Sequence, residues 1–268
     1  MLSHVIKRAV PRVAPRIARN VHRSSTFNES PSPSPSPSHS PPPPPPLVDM
    51  LSSNSLDNNI PPGIASRVGT NLHLVRNHPL NIIKSSIESY LTSSLSNDPP
   101  SIVDSLSPVV TVQQCFDDLL IPPEHVSRSK SDTYYLSSTH CLRTHTSAHQ
   151  SGLLAAGETS FLCTGDVYRR DEIDRTHYPV FHQMEGVRVF GEGVGKEEVE
   201  KDLKKTLEGL AAHLFGDCEM RWVDAYFPFT EPSAELEILY EGEWLEVLGC
   251  GVVQRAILDG AGVEGEGW

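Results

Sequence analysis

The feature that most constrains the fold of this chain is the stretch GDVYRRDEIDRTHYPVFHQMEGVRVF, which reads as two strand-like runs joined by a polar loop. Side chains in a strand alternate faces, so Arg169 and Asp171 are predicted to share one face of the first run. By the same period, Phe181, Gln183 and Glu185 share one face of the second run. If the runs pair as an antiparallel hairpin, one surface carries a cation, three acceptors and an aromatic ring.

This set of side chains suits an anionic, flat and nitrogen-rich ligand. An arginine binds phosphate, a phenyl ring stacks on a purine, and the acceptors take ammonium or amine protons. A nucleotide together with an amino acid fits this description. The alternative is a solvated hairpin with cross-strand ion pairs. The apolar residues that flank the charges disfavour it, and they are Val167, Tyr168, Val180, Val187 and Val189.

The hairpin and the segments that flank it resemble a known family. The hairpin is similar to motif 2 of the class II aminoacyl-tRNA synthetases. The segment YRRDEIDRTHYPVFHQMEG, preceded by THTSAHQ and followed by AYFPFTEPSAELE, resembles phenylalanyl-tRNA synthetase, and the single-chain mitochondrial members above all. The resemblance runs from about Leu72 to the last residue. It implies an α+β catalytic domain over residues 67–268, with a mostly antiparallel sheet flanked by helices.

The resemblance also implies an activity and a set of site residues. Phenylalanine would attack the α-phosphate of ATP, and the resulting adenylate would pass phenylalanine to its tRNA. Arg169 would be the catalytic residue that neutralises the α-phosphate, and magnesium would bridge the phosphates. The implied ATP-binding residues are Arg169, Asp171, His177 and Phe181. The implied amino-acid-binding residues are His145, Ser147, Gln183, Glu185, Phe227, Phe229, Gly249 and Gly251.

The segment HCLRTHTSAHQ contains three histidines, which raises the alternative of a metal site. Histidines four residues apart meet on one face of a helix and can ligate zinc. Because Ser147 and Ala148 are predicted to begin the helix, His140 and His145 lie before it. We therefore predict no metal site in the protein, and a structural role for His140 and His149.

Two aromatic residues near the C-terminal end, Phe227 and Phe229, share a strand face and are most simply read as core. By resemblance to the family, they wall the pocket for the phenylalanine side chain. Gly249 and Gly251 leave room for a ligand ring at the sheet, consistent with LEVLGCG forming the pocket floor.

The remaining pattern predicts helices that flank a sheet. Asn77 is predicted to cap a helix whose apolar stripe, buried within the domain, consists of Leu80, Ile83, Ile87 and Leu91. Residues 195–216 form an amphipathic helix that backs the sheet. The segments VVTV, MRWVDAYFPF, AELEILY and WLEVLGC read as strands, with a turn at Glu241 and Gly242.

The first 23 residues carry six basic side chains and no acid, spaced between Ala, Val and Ile. This is the pattern of a mitochondrial transit peptide, and it predicts a location in the matrix. A basic arm that binds nucleic acid is the alternative. Residues 24–66 are rich in Ser and Pro and are predicted to be a disordered linker.

The net charge and the cysteine spacing limit how the chain can bind a tRNA and whether it forms disulfides. Since the leader carries six positive charges, the formal net charge of −12 for the whole chain becomes −18 for residues 24–268. Local patches or another part of the protein would therefore have to hold a tRNA. The five widely spaced cysteines include no CxxC pair, which predicts free thiols. The single-chain mitochondrial members are understood as monomers, so we expect a monomer.

Family members continue into motif 3 and an anticodon-binding domain, whereas this chain stops at Trp268. Two interpretations stay open on sequence grounds. The chain is part of a longer phenylalanine-activating enzyme and is inactive by itself, or it is a non-catalytic synthetase-like protein that binds RNA or a partner.

Overall fold

The structure is a computed structural model of the chain and describes residues 56–174 and 177–263. The predicted leader over residues 1–23, and the linker up to residue 55, lie outside the described residues. No helix of the described ranges is long and apolar enough to cross a membrane.

Strands and helices alternate irregularly along the described chain. The strands are β1 Ser101–Val103, β2 Val109–Thr111, β3 His140–Leu142, β4 Ser160–Tyr168, β5 Val180–Arg188, β6 Met220–Phe227, β7 Thr230–Tyr240 and β8 Glu243–Val253. The helices are α1 Pro62–Ala65, α2 Pro79–Ser94, α3 Val112–Cys115, α4 Gln150–Ala155, α5 Lys196–Phe215 and α6 Arg255–Gly260. Short 3-10 turns lie at Leu72–Leu74, Asp117–Leu119, Val126–Arg128 and Thr146–His149.

The strands form three sheets that are antiparallel except at one edge. β4 and β5 pair as an antiparallel hairpin along their whole length, and β1 adds to β4 in parallel. β2 pairs with β3, and β6, β7 and β8 form an antiparallel meander. The predicted α+β architecture is confirmed.

The predicted hairpin is present, but its first strand lies further towards the N-terminus than the sequence pattern indicated. β4 begins at Ser160 and ends at Tyr168. Every residue of β4 is buried, because β1 and β5 flank it and side chains cover both of its faces. Arg169 and Asp171 therefore lie in the loop, and their predicted placement on one strand face is wrong.

One hydrophobic core joins the two long helices to the C-terminal meander. It contains Ile83, Ile87 and Leu91 of α2, the apolar face of α5, and Leu236 and Ile238 of β7. The buried residues of α5 are Val199, Leu203, Leu207, Leu210, Ala211 and Leu214. Three residues of the predicted α2 stripe are buried, whereas Leu80, in the first turn, is only half-buried. The prediction that α5 backs the sheet is confirmed. The meander also turns at Glu241 and Gly242 as predicted, and both have positive φ.

Helix α2 begins one residue later than its predicted cap. Asn77 has a positive φ of 65° and stands outside the helix. His78 is the N-cap, and its Nδ1 accepts a hydrogen bond of 3.2 Å from the backbone N–H of Leu80. A histidine can supply this acceptor because a neutral imidazole has one unprotonated nitrogen.

The predicted disordered linker extends too far. Asn59 and Tyr135 form two hydrogen bonds. The Tyr135 N–H donates to Asn59 Oδ1 at 2.7 Å, and the Asn59 N–H donates to the Tyr135 carbonyl at 3.1 Å. Ile64 of α1 is buried in a cluster with Tyr134 and Tyr168. Polar composition predicted disorder up to Ser66, but one amide and one apolar side chain attach this segment to the domain. The domain therefore begins several residues before residue 67.

Candidate active site

The face of the hairpin carries a buried polar pair. In the β4–β5 register, Gln183 lies opposite Gly165 and Glu185 lies opposite Cys163. Residues directly opposite each other project to the same side of the sheet. Gln183 and Glu185 are 2% and 0% exposed. The predicted common face of these two residues is confirmed, and two polar side chains share a site from which water is largely excluded.

The turn at Thr146–His149 is attached to this pair. The backbone N–H of Thr146 donates to Gln183 Oε1 at 3.3 Å. The Ser147 hydroxyl donates to Glu185 Oε2. His145 precedes the turn in extended conformation and is also buried. Residues from two distant parts of the chain are thus brought together as the sequence predicted.

Several buried polar atoms of this site are not hydrogen-bonded within the described part of the chain. They are Glu185 Oε1, Gln183 Nε2, Thr146 Oγ1 and both amide atoms of Gln150. Buried polar groups in native structures almost always have a partner, because leaving them unpaired is costly. Both donors and acceptors are present in this set. A zwitterionic ligand, with an ammonium for the carboxylate and a carboxylate for the donors, satisfies it.

Although its backbone follows the end of β4, Arg169 places its side chain beside the other end of this face of β5. Its backbone N–H donates to the carbonyl of Pro179 at 3.0 Å, one step beyond the end of β4. Its Nε donates to the carbonyl of Thr144 at 2.9 Å. The guanidinium carbon lies 5.3 Å from the centre of the Phe181 ring. A strand advances about 3.3 Å per residue, so Phe181 and Glu185 are separated by about 13 Å along β5.

The two other residues predicted to bind ATP lie in the loop. Asp171 is half-buried and lies near Tyr134. The pKa of the Tyr134 phenol is raised, mainly by burial. The charge of Arg170 acts to lower this pKa, and the charge of Asp171 acts to raise it. His177 Nδ1 is 2.7 Å from Asp174 Oδ2. The His177 side chain is therefore held within its own loop, and the intervening residues 175 and 176 lie outside the described residues.

The predicted aromatic pair is assembled. The rings of Phe227 and Phe229 are stacked, with centroids 5.9 Å apart and planes at 15°. Phe229 is buried in a cluster that also includes Val187 of β5 and Ala148 of the Thr146–His149 turn, and Phe227 packs against this cluster. The pair thus belongs to the apolar surroundings of the polar site.

Gly251 is required by close packing against the neighbouring strand, and not by space for a ligand as predicted. A Cβ at this position would lie 2.5 Å from the Pro232 carbonyl oxygen and 2.6 Å from Thr230 Cβ. The space beside Gly251 is filled by β7, so the prediction that it leaves room for a ligand ring is wrong. Gly249 is buried opposite Glu235 in the same pair of strands.

Sequence reasoning missed Thr146 and Gln150 as candidate ligand-binding residues. Both are fully buried polar side chains within three residues of Ser147 in the sequence. The available signal was the density of hydroxyl and amide residues in HCLRTHTSAHQ. A 3-10 turn that passes into a six-residue helix has no single periodicity, so the pattern did not indicate which of these side chains point inward.

Comparison with known proteins identifies the family of this fold and site. Residues 68–268 match the family described as tRNA synthetases class II core domain (F). The chain belongs to this family.

Relatives with named activities refine that placement. The chain is 55% identical over 223 residues to a protein of Arabidopsis thaliana named phenylalanine--tRNA ligase, chloroplastic/mitochondrial. The aligned region covers 81% of this chain and 52% of that protein. It is 49% identical over 236 residues to the mitochondrial phenylalanine--tRNA ligase of Dictyostelium discoideum, covering 78% and 52%. A phenylalanine--tRNA ligase alpha subunit of Prochlorococcus marinus is 43% identical over 155 residues, covering 57% and 45%. The chain thus spans about half the length of these relatives.

Proposed function

We propose that the protein to which this chain belongs attaches phenylalanine to its tRNA in mitochondria, through a phenylalanyl-adenylate. The observation that carries the proposal is the common face of β5. Arg169 and Phe181 lie at one end of it, and the buried Gln183 and Glu185 lie at the other. The names of the relatives support the same reaction. They do not favour a non-catalytic role.

In the proposed complex the phenylalanine ammonium binds between Gln183 and Glu185. Its carboxylate is held by His145, with Thr146 as a further donor, while the Ser147 hydroxyl donates to Glu185 and orients the group that binds the ammonium. The phenyl ring contacts Phe227 and Phe229. Edge-to-face or offset contact between aromatic rings contributes about 0.5–1.5 kcal/mol beyond the burial of area.

ATP takes the opposite end of the face. Its adenine stacks on Phe181, and Arg169 binds the α-phosphate. Asp171, in the loop, orients the adenylate end, and His177 contacts ATP or the acceptor end of tRNA. The residues that the structure describes include no group of three or more His, Cys, Asp or Glu that would hold a metal ion. Magnesium therefore fits this site as an ion held mainly through the nucleotide phosphates, where it would neutralise phosphate charge.

The reaction needs no covalent nucleophile from the protein. A phenylalanine carboxylate oxygen forms a bond to the α-phosphorus, and the bond to pyrophosphate breaks. A ribose hydroxyl of the terminal adenosine then attacks the acyl carbon, and AMP leaves. The protein contributes positioning of the two substrates and stabilisation of charge on the α-phosphate. Arg169 supplies this charge, and the Thr144 carbonyl holds it in place.

The tRNA and the assembly state belong to the proposal as well. The formal net charge of −18 over residues 24–268 requires local basic patches, or other parts of the protein, to bind the tRNA phosphates. We propose a monomer, as sequence analysis predicts. The Prochlorococcus relative is named an alpha subunit, so the mass of the purified protein in solution is the relevant measurement.

Amino-acid selection tests the proposed substrate. The Phe227 and Phe229 pocket is expected to favour phenylalanine over tyrosine by about a hundredfold or less, because an apolar pocket rejects an added hydroxyl only weakly. Amino-acid-dependent pyrophosphate exchange with a panel of amino acids measures this. Preference for a charged or small aliphatic amino acid would overturn the proposal.

The buried carboxyl of Glu185 predicts a pH dependence. Burial raises its pKa to about 8, and the Ser147 hydrogen bond acts in the opposite direction. Below this pH the group is mainly protonated, and an ammonium ligand must displace the proton. Affinity for phenylalanine is therefore expected to rise about tenfold from pH 6 to pH 7, where the ligand ammonium stays charged. Equilibrium binding at both pH values measures it, and a flat profile would contradict the assigned role.

The leader predicts the proposed location in the mitochondrial matrix. Residues 1–23 fused to a fluorescent reporter are expected to direct import and to be removed afterwards. A fusion in which Arg12, Arg16 and Arg19 are replaced by Glu is the matched control, and it is expected to stay in the cytosol. Cytosolic or nuclear signal from the native leader would contradict the prediction.

A further inference from the structure

Arg143 is a fully buried arginine that connects four segments of the chain. Its Nε donates to the Asp166 carbonyl at 2.7 Å, and its Nη2 donates to Asp166 Oδ1 at 3.0 Å. Its Nη1 donates to His149 Nε2 at 2.8 Å and to the Leu106 carbonyl at 3.3 Å. Arg143 is 1% exposed, and each nitrogen of its guanidinium has at least one acceptor.

The ion pair with Asp166 is complete without His149. The second carboxylate oxygen of Asp166 accepts from the Tyr168 hydroxyl and, at 3.1 Å, from the backbone N–H of Gly69. A buried ion pair is tolerated when its remaining donors and acceptors are satisfied. The ion pair therefore does not need the hydrogen bond to His149. That bond instead fixes the end of the turn that carries Ser147.

The histidine is in the state that this bond requires. An arginine only donates, so Nε2 of His149 must present its lone pair. Burial, and after it the charge of Arg143, lower the pKa of His149 to about 3. The ring is neutral throughout the physiological range, and the bond persists there.

The same arginine is fixed at its backbone. The Arg143 N–H donates to the Pro108 carbonyl at 2.9 Å, and its carbonyl accepts from the Tyr168 N–H at 3.0 Å. The next residue, Thr144, holds Arg169 through its carbonyl. The β4 strand leaves space for this arrangement, since a Cβ at Gly165 would lie 1.9 Å from Arg143 Nη2.

We propose that Arg143 and His149 are positioning residues for the amino acid. Their hydrogen bond holds the Thr146–His149 turn against β5, so that Ser147 meets Glu185 and the Thr146 N–H meets Gln183. Neither residue touches substrate. The proposal deepens the proposed function and rests on it, because it assigns the amino-acid end of the site to this turn.

Substitutions at His149 separate a positioning role from a merely structural one. His149→Leu leaves Arg143 Nη1 without its side-chain acceptor, whereas His149→Gln offers a carbonyl oxygen in its place. In the full protein, His149→Leu is expected to raise KM for phenylalanine about tenfold, with KM for ATP within about twofold of the parent. His149→Gln is expected to recover KM for phenylalanine to within about threefold. His140→Leu, in the same segment but outside the site, is the matched control and is expected to leave both constants unchanged.

A second measurement distinguishes failure of this proposal from failure of the proposed function. Amide hydrogen exchange over residues 145–150 is expected to speed up at least tenfold in His149→Leu and to return towards the parent rate in His149→Gln. If exchange changes in this way but no variant, nor the parent, activates phenylalanine, the turn is held as proposed and the assigned substrate is wrong. Parental exchange and parental KM in His149→Leu would overturn the positioning role. Equal losses in the Leu and Gln variants would overturn it too.

Discussion

Arg169→Ala is expected to lower phenylalanine-dependent pyrophosphate exchange by about two orders of magnitude or more. In the proposed complex Arg169 stabilises the negative charge that develops on the α-phosphate. Removing one such preorganised contact typically costs about 2.7–4 kcal/mol of transition-state stabilisation. The guanidinium is preorganised, since the Thr144 carbonyl and the Phe181 ring already hold it.

The next residue offers a matched control for Arg169. Arg170 is exposed, lies 5.8 Å from the centre of the Tyr134 ring and donates to the Lys130 carbonyl. Its side chain is held by these contacts with Tyr134 and Lys130. Arg170→Ala is expected to keep exchange within about threefold of the parent. Arg169→Ala activity in that same range would contradict the assignment of the catalytic arginine.

Above pH 8, where the Glu185 carboxyl of the parent is mainly ionised, Glu185→Gln is expected to raise KM for phenylalanine by about a hundredfold. The substitution keeps the shape of the side chain and removes the charge that pairs with the ammonium. Losing a charge-assisted hydrogen bond in a buried site costs about 1.5–3 kcal/mol, and the upper end applies because no water replaces the carboxylate. The Ser147 hydroxyl still has an acceptor in the amide oxygen. Binding and exchange with phenylalanine measure the effect.

Glu185→Gln is expected to weaken phenylalanine binding but not to lower the free energy of unfolding. The folded-state pKa of Glu185, about 8, lies above its ordinary value of 4.5. The folded protein therefore holds a proton that the unfolded chain releases between these values. This contribution to stability is complete below the unfolded pKa and is lost as the pH rises towards 8. Glu185→Gln is expected to be at least as stable as the parent at pH 8. Exposed Glu197→Gln is the control for both measurements, and a destabilised variant with unchanged KM would contradict the binding role.

The face of β5 was predictable because its signal is strictly periodic. Two-residue alternation put Gln183 and Glu185 on one side, and a hairpin was the simplest way to bury it. The inner face of α5 followed in the same way from helical period. These elements were confirmed because the pattern and the core agree over many residues.

Errors arose where the pattern carried no information on where an element ends. Asp171 was placed on a strand that in fact stops at Tyr168, since alternation continues through the loop residues. Gly251 was assigned to ligand space, but its neighbours are set by the pairing of β7 with β8, which sequence spacing does not reveal. His78 replaced Asn77 as helix cap because the cap depends on backbone angles.

The buried connections of Arg143 were beyond the reach of the sequence for another reason. A charged residue in LRTHTS reads as exposed or ligand-binding, because buried charges are rare. Its partner Asp166 is 23 positions away and has no spacing relation to it. Only the close approach of the Arg143 segment to the edge of β4 brings the two together. Long-range polar pairs of this kind become visible when tertiary structure is known.

The crystal structure of the full protein with an unreactive analogue of phenylalanyl-adenylate tests the central claim most directly. The analogue is expected to lie along β5, with its ammonium within 2.7–3.2 Å of Gln183 and Glu185 and its adenine on Phe181. Its phenyl ring is expected beside Phe227 and Phe229, and Arg169 is expected at the group that replaces the phosphate. An analogue bound elsewhere, or bound here in the reverse direction with its ammonium near Arg169, would contradict the proposed site.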